Sequence, residues 1–163
     1  MRTTGWALGG LAFLVLLAGM NSRTQAQDLE EEQLFTRLSD KTLEKLLQKM
    51  RIPFERRELN PTGKKLIVYN ITLNNYKAIV VNHGSSLQLT CGGFKTLNNQ
   101  DISLEHVNEW NQRRRHSRAF VDKEGFGIVE ADLDFYGGTN HKIIIEWVKL
   151  YSTSLSDFAN FTR

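Results

Sequence analysis

The chain has 163 residues, with 21 lysines and arginines against 18 acidic side chains and a formal net charge of +3. Its one cysteine, Cys91, excludes an intramolecular disulfide, so stability has to come from packing. The length suits one domain with a single core, and no internal repeat, low-complexity tract or Pro/Gly/Ser linker divides it.

The amino terminus reads as an export signal. Arg2 precedes an apolar stretch from Trp6 to Met20, and Thr24-Gln25-Ala26 offers small residues where a signal peptidase inspects the chain. Cleavage before Gln27 is expected. The stretch is short for a membrane span, which needs about 20 apolar residues, and an uncleaved amino-terminal anchor is the alternative. No cysteine follows it, so no lipoprotein anchor is expected. Removal of residues 1–26 takes away Arg2 and Arg23 and no acid, which leaves 19 basic and 18 acidic side chains. Nucleic-acid binders concentrate positive charge on a face or arm. Here Arg113 to Arg118 is balanced by Glu130, Asp132 and Asp134, so nucleic acid is not an expected partner.

Residues 27–38 form an acidic lead, expected to be mobile. Ser39-Asp40 then opens a helix whose Leu43, Leu46, Leu47 and Met50 share a face and which Pro53 ends. Leu66 to Ile71 and Tyr76 to Val81 are β-branched and aromatic runs, a hairpin across Leu73-Asn74-Asn75. A shorter strand, Ser86 to Thr90, precedes Gly92-Gly93. Ser103 caps the next helix, Glu105 lies in its first turn, and Arg113, Arg114 and Arg115 crowd its negative end. Leu104, Val107 and Trp110 form its apolar stripe. Asn111 and Arg114 fall inside or beside that stripe and need partners, expected to be backbone carbonyls or acids near the sheet.

From Ser117 the period becomes two. Ala119, Val121, Gly127, Val129, Ala131, Leu133 and Phe135 share one face; Arg118, Phe120, Asp122, Glu130, Asp132 and Asp134 share the other. The loop Lys123-Glu124-Gly125 closes a three-residue hairpin whose register pairs Asp122 with Phe126 and Arg118 with Glu130. Gly137-Gly138 leads to Thr139, the expected N-cap of a long helix with Ile144, Trp147, Val148, Tyr151, Leu155 and Phe158 along one side. Ser152-Thr153-Ser154 has poor helix propensity, and a break is expected there. The expected layout is α+β: an antiparallel sheet covered by helices, in the order α-β-β-β-α-β-β-α.

Asn108-Glu109-Trp110-Asn111 with the arginines that follow, Arg118 to Asp122, Glu124-Gly125 and Glu130 to Gly138 together resemble the YbjN-like family, whose members are described as bacterial sensory transduction regulators. A weaker likeness runs from about Ser39 to Phe161, giving one domain over residues 39–163. The resemblance implies a fold similar to type III secretion chaperones, a bacterial source and members that are not enzymes; the export signal, a departure from the family's pattern, adds the expectation of a periplasmic or secreted setting.

Catalytic chemistry finds little support in the residues themselves. His83, His106, His116 and His141 are scattered over different elements without metal-ligand spacing. Glu130, Asp132 and Asp134 could hold a hard cation, but alternate strand residues are splayed, and a solvated acidic face paired with arginine is the simpler reading. Gly137-Gly138-Thr139 lacks the lysine of a phosphate loop. Cys91 reads as a small buried residue. No catalytic, metal or cofactor site is expected. The expected function is a non-catalytic, chaperone-like or regulatory module binding a peptide or protein, with a homodimer as one form. The alternative is a periplasmic protein responsive to a small ligand or metal. Candidate interaction residues are Trp110, Asn111, Arg114, Phe120, Asp132 and Asp134; an aromatic among charges, as at Phe120, is a potential interface anchor.

Overall fold

The computed structural model describes residues 33–61, 63 and 65–163. The expected signal segment and its cleavage point lie outside the described residues. Leu34–Arg163 forms one compact unit.

Ser39 caps the first helix, α1 (Asp40–Lys49), its hydroxyl accepting the Thr42 N–H at 3.1 Å. The helix stops as Arg51 turns to φ 56°, two residues before Pro53. Four strands follow: β1 (Phe54–Leu59), β2 (Leu66–Leu73), β3 (Tyr76–Asn82) and β4 (Ser86–Phe94). Then come α2 (Leu104–Arg113), β5 (Arg118–Val121), β6 (Gly127–Asp134) and the long α3 (His141–Phe161). The expected α+β class holds, with one strand more than expected.

All six strands form one antiparallel sheet in the order β1-β2-β3-β4-β6-β5. The β5–β6 register pairs Arg118 with Glu130, and the Asp122 N–H bonds the Phe126 carbonyl at 2.9 Å, as the hairpin pattern requires. Gly125 supplies the left-handed conformation of that loop at φ 78°. The β4–β6 register shifts between Cys91 and Phe94, where Gly93 takes φ 90°.

Alternation decides what the helices cover. Ile67, Tyr69, Ile71, Leu73, Ala78, Val80, Leu87, Leu89, Cys91, Ala119, Val129 and Ala131 all point to one face and share the core with the apolar sides of the three helices. Ile144, Tyr151, Leu155 and Phe158 of α3 are fully buried, each worth roughly 1.5–3 kcal/mol of transfer free energy. The Tyr151 hydroxyl donates to the Val129 carbonyl at 2.8 Å, which fixes α3 against β6. Trp110 of α2 meets Phe158 edge to face at 5.0 Å. At the other side, Glu44 of α1 accepts from the Tyr69 hydroxyl at 3.2 Å and lies 3.5 Å from Arg56.

Five expectations need correction. Phe54–Leu59 is a strand, although its charged Glu-Arg-Arg-Glu centre hides any apolar alternation; it is an edge strand whose last five residues are exposed. Leu73 belongs to β2, and the turn is only Asn74-Asn75, at φ 46° and 69°, the left-handed pair of a tight two-residue hairpin. The α3 cap is Asn140, whose side chain accepts the Ile143 N–H at 2.9 Å; Thr139 is instead bonded to Phe35 through both backbone groups at 2.8 Å. That bridge also places residues 34–38, expected in a mobile lead, within the compact unit, with the Leu38 N–H on the Gly84 carbonyl at 2.7 Å.

The Ser152-Thr153-Ser154 break does not occur either. Thr153 Oγ1 bonds back to the Lys149 carbonyl at 3.2 Å, Ser154 is buried, and the Ser152 carbonyl accepts from Asn74 at 3.2 Å. Tertiary contact thus outweighs weak local propensity.

Burial pushes the Cys91 thiol up from 9.0 to about 11, and it also raises the Tyr69 and Tyr151 hydroxyls well above their ordinary value. In the unfolded chain these protons leave at lower pH, so stability present below about pH 9 is lost as pH rises toward 11. Two outcomes are expected: urea midpoints fall over that interval, and Cys91 resists a thiol reagent at pH 8 in the native protein while reacting at once in urea. Rapid native labelling contradicts the burial.

Candidate interaction surface

Among the described residues, the sheet has two edges and one face that no helix covers. The β5 edge is closed from within. Asn111, on the last turn of α2, donates its amide to the Ala119 carbonyl at 2.9 Å and accepts the Ala119 N–H at 2.7 Å. One side chain therefore satisfies both backbone groups of a buried edge residue, as a neighbouring strand would. Arg114 lies beside it, 3.1 Å from Asp157 of α3, with its guanidinium 5.0 Å from the Trp110 ring. Trp110 is 1% exposed and its indole N–H has no hydrogen-bond partner among the described residues. Of the candidate residues, Trp110 serves the core and presents nothing to a partner, while Asn111 and Arg114 lock α2 to β5 and α3.

The face away from the helices is continuous. Backbone register aligns Glu55, Asn70, Ile79, Thr90, Glu130 and Arg118 in one row across all six strands. The neighbouring row is Arg57, Val68, Val81, Gln88 and Asp132. Arg118 bonds Glu130 and reaches Asp132 at 2.9 Å, and Asp132 also accepts from Gln88 at 3.1 Å. Its hydrogen bond and charge attraction to Glu130 raise the Arg118 pKa, so it stays a cation at any working pH. Phe120, paired with Ile128 at the end of this network, is 40% exposed, and Ile79 is 43% exposed. The face thus combines accessible aromatic and aliphatic groups with a fixed polar network, a composition suited to recognition.

Two depressions adjoin it. One of about 320 Å³ lies beside Asn111, Arg114, Arg118, Glu130 and Asp132; another of about 530 Å³ lies over Phe54, Glu55, Arg57, Asn70 and Ile79. The acidic trio does not converge. Glu130 and Asp132 are engaged by Arg118, whereas Asp134 turns away to accept the Tyr136 N–H at 2.9 Å. Among the described residues no group of three or more His, Cys, Asp or Glu side chains could hold a metal ion. His106 caps with Ser103 at 3.0 Å, and His83 and His116 are exposed in separate loops.

Phe120, Asp132 and Asp134 therefore lie on the open face, as the period-two pattern places them, with Asp132 inside the ion network. Ile79, Gln88 and Ile128 escaped the sequence reading. The same alternation, carried through β3, β4 and β6, marks them as outward.

The YbjN family model, described as "Putative bacterial sensory transduction regulator", matches residues 39–162. The chain belongs to the YbjN family. No curated protein matches it, and no solved structure does. The YbjN match runs from the cap of α1 to the cap of α3, so it takes in every named element, including the charged strand β1. Within this YbjN domain no helix among the described residues is long and apolar enough to cross a membrane.

Geometry separates the two polar residues of α2. Asn111→Ala leaves two buried backbone groups unpaired and should cost about 2 kcal/mol in urea unfolding, whereas Arg114→Ala removes a half-exposed ion pair and should cost below about 1 kcal/mol. Equal costs would mean that the Asn111 clamp is not what closes the edge.

Proposed function

We propose that this YbjN domain is a non-catalytic regulatory module that binds a peptide or protein partner, in a chaperone-like manner, on the open face of its sheet. The carrying observation is the unbroken outward surface from Ile79 to Phe120, in which exposed apolar groups flank the Arg118–Glu130–Asp132 network. Rigid strands hold these groups in place before any partner arrives, which lowers the ordering cost of association. An aromatic beside a fixed arginine network is the kind of anchor on which interface energy concentrates. Catalysis finds no comparable support: Gln88, Arg118, Glu130 and Asp132 on this face pair with one another, and the buried thiol and hydroxyls lie on the opposite side.

Export is part of the same reading. Arg2, the apolar stretch from Trp6 to Met20 and Thr24-Gln25-Ala26 support a secreted or periplasmic module processed before Gln27. Intact-mass measurement of the protein recovered from the producing bacterium should give a chain starting at Gln27; a chain retaining residues 1–26 in the membrane fraction would establish the anchored form instead.

Photo-crosslinking tests the face. A crosslinkable residue at position 79 or 120 should capture one discrete polypeptide, while position 150, exposed on α3, should not. Phe120→Asp should then weaken binding of that purified polypeptide at least ten-fold with an unchanged melting temperature. Capture from position 150 alone would place the binding surface on the helices.

A further inference from the structure

The two edges of the sheet are treated differently. The Asn111 amide occupies β5, whereas nothing among the described residues pairs with the outer side of β1, and Glu55 to Leu59 are exposed there. An open edge is a template for another strand, and charged side chains along it deter indiscriminate pairing. This edge carries one acid and one base on each face, a pattern that admits only a strand of complementary order. Glu55 and Arg57 point outward from the core, and Arg56 and Glu58 share the side of Tyr69 and Ile67.

We infer that β1 pairs antiparallel with β1 of a second copy of this chain, about a two-fold axis at Arg56, joining two six-stranded sheets into one of twelve strands. A two-fold that preserves the faces of the sheet requires paired residues to share a face, so the axis passes through a residue. With the axis at Arg56, Glu55 of each copy, already bonded to Arg57 of its own strand at 3.0 Å, also faces Arg57 of the other copy, so the two pairs close into a ring of alternating charge on the open face. The two Arg56 side chains meet at the centre, but each already lies 3.5 Å from Glu44 of its own α1, which offsets the repulsion.

Neighbouring registers are worse. An axis at Arg57 sets Arg57 against its own copy and Glu55 against Leu59; an axis at Glu55 sets acid against acid. The Arg56 register also continues the rows of the open face. The row that ends at Glu55 in one copy runs into the row that begins at Arg57 in the other. Thr72, Asn70 and Val68 of β2 lie one strand in from the joint, so the pair adds backbone hydrogen bonds without uncovering any core residue.

Charge reversal and charge exchange test this. Sedimentation of the protein purified from the cells that produce it should show a dimer. Arg57→Glu and Glu55→Arg, each placing like charges opposite one another, should raise the dimer dissociation constant at least ten-fold. The exchanged double variant E55R/R57E should restore it. Both side chains are exposed, so circular dichroism and melting temperature should stay those of the wild type. Phe120→Asp, on the open face, should leave the dimer intact, which separates this inference from the binding role proposed above. A wild-type monomer at millimolar concentration, a dimer indifferent to the single reversals, or a double variant as weak as the singles would each overturn it.

Discussion

Everything in this molecule hangs on α3 lying across the middle of the sheet. Its inner side is largely apolar for about four turns, from Ile144 through Tyr151 and Leu155 to Phe158, and it presses on the neighbouring strands β4 and β6. The Tyr151 hydroxyl adds direction to a contact that is otherwise non-directional, since its bond to the Val129 carbonyl fixes both the rotation and the height of the helix. Trp110 leans on Phe158, so α2 is positioned by α3 and in turn delivers Asn111 to the β5 edge. A single packed helix thus sets one face of the sheet, one of its edges and the orientation of the second helix.

The consequence is an asymmetric object. The covered face is apolar except toward β1, where Arg56, Glu44 and the Tyr69 hydroxyl meet; the other carries ladders of mixed chemistry that run from edge to edge without interruption. Val68 is the exception that explains how such a face avoids being an apolar patch. It is buried although it points outward, between Arg57 and Val81 in its row, with the arginine stem available to cover it. Glu55 with Arg57, and Arg118 with Glu130 and Asp132, pair on this face, which leaves polar networks interspersed with apolar side chains.

Much of this was legible in the chain, and the failures share one cause. The helix caps Ser39 and Ser103, the Arg118–Glu130 pairing and the inward set of the last hairpin followed from spacing alone, because each is a local pattern with one geometric solution. The strand β1 was not legible: its residues are chosen for an edge and a solvent boundary, where alternation carries no signal. Ser152 to Ser154 look like a helix end only while Asn74, 78 positions away in sequence, is out of view. Thr139 was mistaken for a cap because the bridge to Phe35 is a long-range contact. For the site, the sequence located Phe120, Asp132 and Asp134 on an outward face, but it could not tell that Trp110 is sealed in the core or that Asn111 substitutes for a strand. Those distinctions depend on what lies opposite, which period alone never specifies.

The account turns on one face being sealed by helices and the other standing open to solvent, and methyl NMR with a soluble paramagnetic probe reads this directly. Strong relaxation of the Ile79, Val81 and Ile128 methyls, with Leu89, Val129 and Leu155 protected, is the pattern this architecture requires. Protection of the Ile79 and Ile128 methyls in the isolated protein would show that the face is already covered, and the binding role assigned to it would fail.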